Sequence, residues 1–112
     1  MGADSKLEWI NRPGAGTPRL GMLCWEPGTI PRGLVQLAEL PGNATHPDTF
    51  PFPVRYRRVP GANIHTVLER PSRRALTPMI AAARDMVRRG VRAITTSCGF
   101  NAVFQDALSA AV

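Results

Sequence analysis

Cys98 is the residue best placed to do chemistry in this chain of 112 residues. It follows an apolar run, residues 91–96, and belongs to Ser97-Cys98-Gly99-Phe100-Asn101, beyond which the pattern turns helical. At a strand-to-helix junction of this kind backbone N–H groups converge and the helix dipole favours an anion. Such a position lowers a thiol's pKa and raises its thiolate fraction, as a reactive cysteine requires. The competing reading is a buried, inert thiol at a strand end. Thr95, Thr96 and Ser97 are open to two readings as well: strand formers and a helix cap, or groups that face a ligand.

The other reactive side chains offer less. Cys24 closes an apolar run far from Cys98 and reads as core. Neither cysteine has a CxxC partner or a histidine at metal-ligand spacing, so no metal site is expected. A structural disulfide is not expected in a cytosolic chain. His46 and His65 read as isolated surface or loop residues. The net charge of +6 and a pI near 11.0 bring nucleic acid into consideration. Yet every basic residue except Lys6 is an arginine, and the arginines are spread along the whole chain. Arg55-Arg57-Arg58, Arg70-Arg73-Arg74 and Arg84-Arg88-Arg89-Arg92 read as solvated surface, and nucleic acid is not expected as a partner.

The elements that must position Cys98 follow from patterning. Residues 1–17 are polar and rich in Gly and Pro, and read as a flexible arm. Residues 18–112 read as one α/β domain. Within it, residues 19–25 form a buried strand. A long Pro/Gly-rich passage, 26–53, follows and contains a short helix over 33–40; loops of that length often carry function. Pro41-Gly42-Asn43 is a turn, because Gly and Asn tolerate positive φ. Residues 54–59 alternate, with Val54, Tyr56 and Arg58 on one face and Arg55, Arg57 and Val59 on the other. Residues 64–68 read as a short extended piece. A helix is then expected from an N-cap at Thr77, with Pro78 in its first turn, to a stop at Gly90. Residues 91–96 read as a buried strand and 101–112 as a helix with Val103, Phe104, Ala107, Leu108 and Ala111 along its apolar stripe. This order predicts a small parallel sheet flanked by helices, with ligands beyond the carboxyl ends of the strands. The last helix reaches Val112 with no cap, no Gly and no closing strand, so the chain reads as cut short of its natural domain.

The segment from Gly90 to Gln105, centred on Thr95-Thr96-Ser97-Cys98-Gly99-Phe100-Asn101, resembles the aspartate/glutamate/hydantoin racemase superfamily. Pro41-Gly42-Asn43, Thr49-Phe50, Phe52-Pro53-Val54 and Val59-Pro60-Gly61-Ala62 are similar to its racemase-like branch, in the same order. The resemblance implies a PLP-independent isomerase of two pseudo-symmetric α/β halves, of which this chain matches the N-terminal one. It implies Cys98 as the acid/base that moves a proton alpha to a carboxylate or carbonyl. Thr96, Ser97, Gly99, Phe100 and Asn101 would bind the substrate, a small carboxylate or a hydantoin, and no cofactor or metal would take part. Inversion needs an acid and a base on opposite sides of one carbon. The second would come from a missing C-terminal half or a homo-oligomeric partner, and the fragment alone is expected to be inactive. Better-known members carry Cys-Asn-Thr where this chain has Cys98-Gly99-Phe100. The rival expectation is a non-catalytic small-carboxylate binding module of the same fold. A cytoplasmic location, with no membrane partner, follows from the lack of a signal-peptide core and of any long apolar stretch.

Overall fold

The computed structural model describes residues 7–28 and 32–112. In chain order its elements are β1 (Glu8–Ile10), β2 (Leu20–Trp25), α1 (Arg32–Ala38), β3 (Val54–Val59) and a π-helical segment (Ile64–Glu69). Then come α2 (Arg73–Arg88), β4 (Ala93–Thr96), a 3₁₀ segment (Gly99–Phe104) and α3 (Gln105–Ala111). The strands form a single sheet in the order β1-β3-β2-β4. β2 runs parallel to β3 and to β4, while β1 runs antiparallel to β3. The protein is therefore α/β with helices flanking a mixed sheet, where a purely parallel one was expected.

The antiparallel strand lies inside the stretch read as a flexible arm, of which residues 1–6 fall outside the described residues. Three residues are too few to display a period, and partners distant in sequence hold them. Trp9 stacks on Tyr56 with ring centroids 5.0 Å apart and planes 4° from parallel. Glu8 accepts hydrogen bonds from Arg55 and Arg57.

The alternation expected in β3 is the one observed. Val54 and Tyr56 pack with Met22 and Cys24 on one face, while Val59 and Leu23 join the other core beneath α2. The first face is covered by part of the long Pro/Gly-rich passage, in which Ala44 and Phe50 pack against that cluster. Tyr56 Oη donates to the Ala44 carbonyl at 2.8 Å, and Arg12 Nε to that of Phe50 at 2.9 Å. This stretch of the passage is thus a lid on the sheet. Helix α1, also within the passage, buries no residue.

On the second face, α2 supplies Ala75, Met79, Ala82, Ala83 and Met86 to the core. It begins five residues before the expected position: Ser72, not Thr77, is the cap, its Oγ accepting from Arg74 N at 3.0 Å. Pro78 consequently sits inside the helix, where it has no N–H to offer the carbonyl of Arg74. The chain at Gly61 closes on that carbonyl, with φ +87°; a Cβ there would lie 2.5 Å from Arg74 O. The helix ends as expected, with Gly90 at φ +103° just past it.

Two further expectations change. Residues 64–69 are π-helical where an extended piece was expected, capped by Asn63, whose Oδ1 accepts from His65 N and Thr66 N. β4 was expected to be buried but alternates between exposed and half-buried, because it is an edge strand paired only with β2. Val91, the buried residue of that run, precedes the strand. Arg55 and Arg57 also depart from the solvated-surface reading. Arg57 bridges Glu8 at 2.9 Å and Asp85 at 2.6 Å, so that a charged network pins β1 and β3 to α2.

Candidate functional site

The three parallel strands end on one edge of the sheet, at Trp25, Val59 and Thr96. Ligands of open α/β sheets gather beyond such edges. The chain leaving β4 stays tied to β2 through Ser97 N, which donates to the Leu23 carbonyl at 3.0 Å. Cys98 follows in extended conformation, φ −135° and ψ 128°, and its side chain is partly exposed. Its carbonyl accepts from Thr96 Oγ1 at 3.0 Å and from Asn101 N at 3.2 Å, which fixes the turn around the thiol.

The segment that follows corrects the expectation of a helix N-terminus at Cys98. Residues 99–104 are 3₁₀, and α3 begins only at Gln105. In a 3₁₀ turn residues i and i+3 eclipse one another. That alignment brings Asn101 and Phe104 to the core together, and both are buried. Phe100, expected to bind substrate, is 55% exposed, as is Val103 of the expected apolar stripe.

Asn101 is the distinctive member of the site. It is 2% exposed and the sole buried polar residue of the core among the described residues. Its Oδ1 accepts from Trp25 Nε1 at 3.1 Å, which fixes the amide and ties it to the end of β2. Its Nδ2 is buried with no hydrogen-bond partner. An unpaired buried donor costs roughly 1–3 kcal/mol. A cleft of about 660 Å³ runs alongside β4, with Ile94, Thr96, Gly99, Asn101, Gln105 and Leu108 among its walls. Three of the expected substrate residues, Thr96, Gly99 and Asn101, thus meet in one cleft. Ser97, Cys98 and Phe100 do not line it. The Cys24 thiol donates to the Met22 carbonyl at 3.9 Å.

Cys24 sits in the core as expected, 3% exposed. Burial pushes its thiol pKa up, partly opposed by the Ser97 hydroxyl and the Arg58 guanidinium. It is buried on the lid-covered face with Met22, Val54 and Tyr56. Both cysteines are free.

Residues that sequence reasoning passed over complete this edge. Glu26 accepts from Gly61 N at 3.0 Å and Asn63 Nδ2 at 2.7 Å, and these bonds hold its carboxyl below the usual range. They clamp the end of β2 to the end of β3. His65 pairs with Glu69, Nδ1 to Oε1 at 2.7 Å, on the π-helical segment that packs against residues 99–104. Their spacing of four residues was the available signal, hidden by reading 64–68 as extended. Among the described residues no three His, Cys, Asp or Glu converge as metal ligands, and no helix is long and apolar enough to cross a membrane. No protein-family model, curated protein or solved structure matches the chain.

Proposed function

We propose that this protein is a racemase-like, cofactor-independent isomerase in which Cys98 exchanges the proton alpha to a carboxylate or carbonyl. The observation that carries this reading is an accessible thiol at the carboxyl edge of the sheet, three residues before a buried amide whose Nδ2 has no partner. In the proposed step, Cys98 Sγ as thiolate takes the alpha proton. The electron pair left behind delocalises onto the substrate oxygen. Donors for that oxygen are Asn101 Nδ2 and the first amides of the 3₁₀ segment, which have no carbonyl one turn behind them. The proton then returns from the thiol to carbon.

A single thiol returns the proton to the face it came from, and inversion requires a second group on the other side. Cys24, buried beneath the lid, does not supply it; a second half-domain or another subunit would. The reading therefore predicts that this chain alone is inactive as a racemase and supports only exchange of the alpha proton with retention. In D₂O, 5-substituted hydantoins and 2-substituted carboxylates should lose their alpha-proton signal above the buffer background without racemising. Cys98→Ala should abolish the effect. Exchange at the wild-type rate in Cys98→Ala, or none in the wild type, would overturn the assignment. The cleft passes Thr96, Gly99 and Asn101 but not Cys98, which favours a second reading: a non-catalytic module that binds small carboxylates. Binding without exchange would establish that one.

A further inference from the structure

In a parallel ladder every second residue turns both its N–H and its C=O toward the neighbouring strand. Ala93 N donates to the Arg19 carbonyl at 3.1 Å and Ser97 N to that of Leu23 at 3.0 Å, so Ala93, Thr95 and Ser97 face β2. The N–H and C=O of Ile94 and Thr96 therefore face out of the sheet, and among the described residues they have no hydrogen-bond partner. Such edges are ordinarily blunted by shortness, charge or proline. β1, at the opposite edge, has three residues, one of them the ion-paired Glu8, whereas Ala93–Thr96 carries neither charge nor proline. The cleft runs along this open edge, and α3 contributes Gln105, Leu108 and Ser109 to its walls. We propose that the edge binds an extended peptide, which joins the sheet as a fifth strand antiparallel to β4 with an acidic residue at the Arg92 end. Strand addition draws affinity from the main chain and specificity from alternate side chains. Peptide residues opposite Ile94 and Thr96 would bond β4 and send their side chains to the face where Ile94 packs on the core. Those opposite Ala93 and Thr95 would share the exposure of these two residues. Walls that mix Ile94 and Leu108 with Thr95, Gln105 and Ser109 suit a strand of alternating character. Arg92 supplies the charge complementarity: it lines the cleft, is exposed, and enters none of the ion pairs among the described residues. A second copy fits the edge less well, because each chain carries a net charge of +6 and like charges oppose the approach. The added strand would cover Arg92 to Thr96 and leave Cys98 and Asn101 to the proton transfer, on which the proposal does not rest.

The test adds acetyl-Thr-Val-Thr-Val-Thr-Asp-amide to ¹⁵N-labelled protein and follows backbone amide hydrogen exchange. At saturation the Ile94 and Thr96 amides should exchange at least about tenfold more slowly, while Ala93 and Thr95, already turned to β2, change less. In the antiparallel register the two valines face β4. N-methylating both should weaken binding by about tenfold or more through the two hydrogen bonds lost. N-methylating the second and third threonines, whose amides face away, should be tolerated. Ile94→Pro removes a donor from the open edge without touching the bonds to β2, and should abolish the protection at Thr96. Lys in place of the peptide's Asp should weaken binding about threefold, and Arg92→Glu should restore it, a charge exchange that leaves the strand intact. Equal loss from either pattern of methylation, no protection at millimolar peptide, or tighter binding of the Lys peptide to the wild type would overturn the proposal. So would protection of Ile94 and Thr96 that grows with protein concentration in the absence of peptide, the sign of a second copy on the edge. Proton exchange by Cys98 is read on a substrate carbon and peptide binding on these amides, so failure of one is distinct from failure of the other.

Discussion

Replacing Asn101 by Leu should leave the protein as stable as the wild type or more so, while destroying the ligand site. Asn101 is 98% buried and makes one side-chain hydrogen bond, from Trp25 Nε1 at 3.1 Å; its Nδ2 makes none. Leu has the same number of side-chain heavy atoms in the same branched arrangement. The substitution removes an unsatisfied donor whose burial costs about 1–3 kcal/mol, and loses a bond with a net contribution of about 0.5–1.5 kcal/mol. The loss sits at the low end, because Trp25 is only half-buried and its N–H can turn to water. The expected net effect is a stabilisation of about 1 kcal/mol. With a urea m-value of about 2 kcal/mol/M, the midpoint should rise by about 0.5 M. Asn101→Ala removes the same donor but leaves a void, and should destabilise the fold by about 1–2 kcal/mol. Urea melts followed by far-UV circular dichroism measure both. If Asn101→Leu lowers the midpoint by more than about 0.5 M, the amide is a structural asset and the argument that its Nδ2 waits for a ligand fails.

Three other expectations follow from the packing. Gly61→Ala combines positive φ with a Cβ 2.5 Å from the Arg74 carbonyl, whereas Gly42→Ala has φ +104° in open space. The conformational penalty of about 1–2 kcal/mol is common to both, so Gly61→Ala should cost a further 1–3 kcal/mol or so, and equal urea midpoints would refute the close approach. Partial burial raises the Glu8 pKa, but bonds from Arg55 and Arg57 outweigh it, and Arg57 likewise leads in lowering Asp85. With both folded-state values below the unfolded ones, this stability is complete above the ordinary carboxylate range and is lost as pH falls through the depressed values. Glu8→Gln should cost roughly 0.5–1 kcal/mol at pH 7 after allowing for solvent screening, and flatten the acid limb of a stability–pH curve; an unchanged limb would show the network to be idle. Finally, one thiol, Cys98, should react readily with a disulfide reagent in the native protein and both in urea, since Cys24 is buried and its pKa is raised. Two fast native thiols would contradict the lid.

What could be read in the sequence was whatever depended on near neighbours. β3 was bounded at Val54 and Val59 by alternation alone, and the end of α2 by Gly90, whose positive φ the structure displays. Where long-range partners decide, the same rules gave other answers. β1 exists because Glu8 and Trp9 find Arg55, Arg57 and Tyr56 some fifty residues away. α2 starts early because Pro78 is tolerated where Gly61, rather than an N–H, meets the carbonyl of Arg74. An apolar run such as 91–96 indicates a strand but not whether it lies centrally or at an edge. The expected site set held together only in part. Thr96, Gly99 and Asn101 converge, while Ser97, Cys98 and Phe100 lie outside the cleft, a division that residue order gives no means of seeing.

The same reasoning changes what is asked of Cys98. A helix dipole was to have been its activating field, but the segment after it is a 3₁₀ turn and α3 starts seven residues on. The turn aligns fewer peptide dipoles than a full α-helix would, so the argument for reactivity passes from the macrodipole to individual donors. Both sides of the edge that carries them are held by hydrogen bonds. The β2–β3 side of the edge is clamped by Glu26 through Gly61 and Asn63, and the Cys98 side by Ser97 N on the Leu23 carbonyl, the Thr96 hydroxyl, Asn101 N on the Cys98 carbonyl and the Asn101–Trp25 bond.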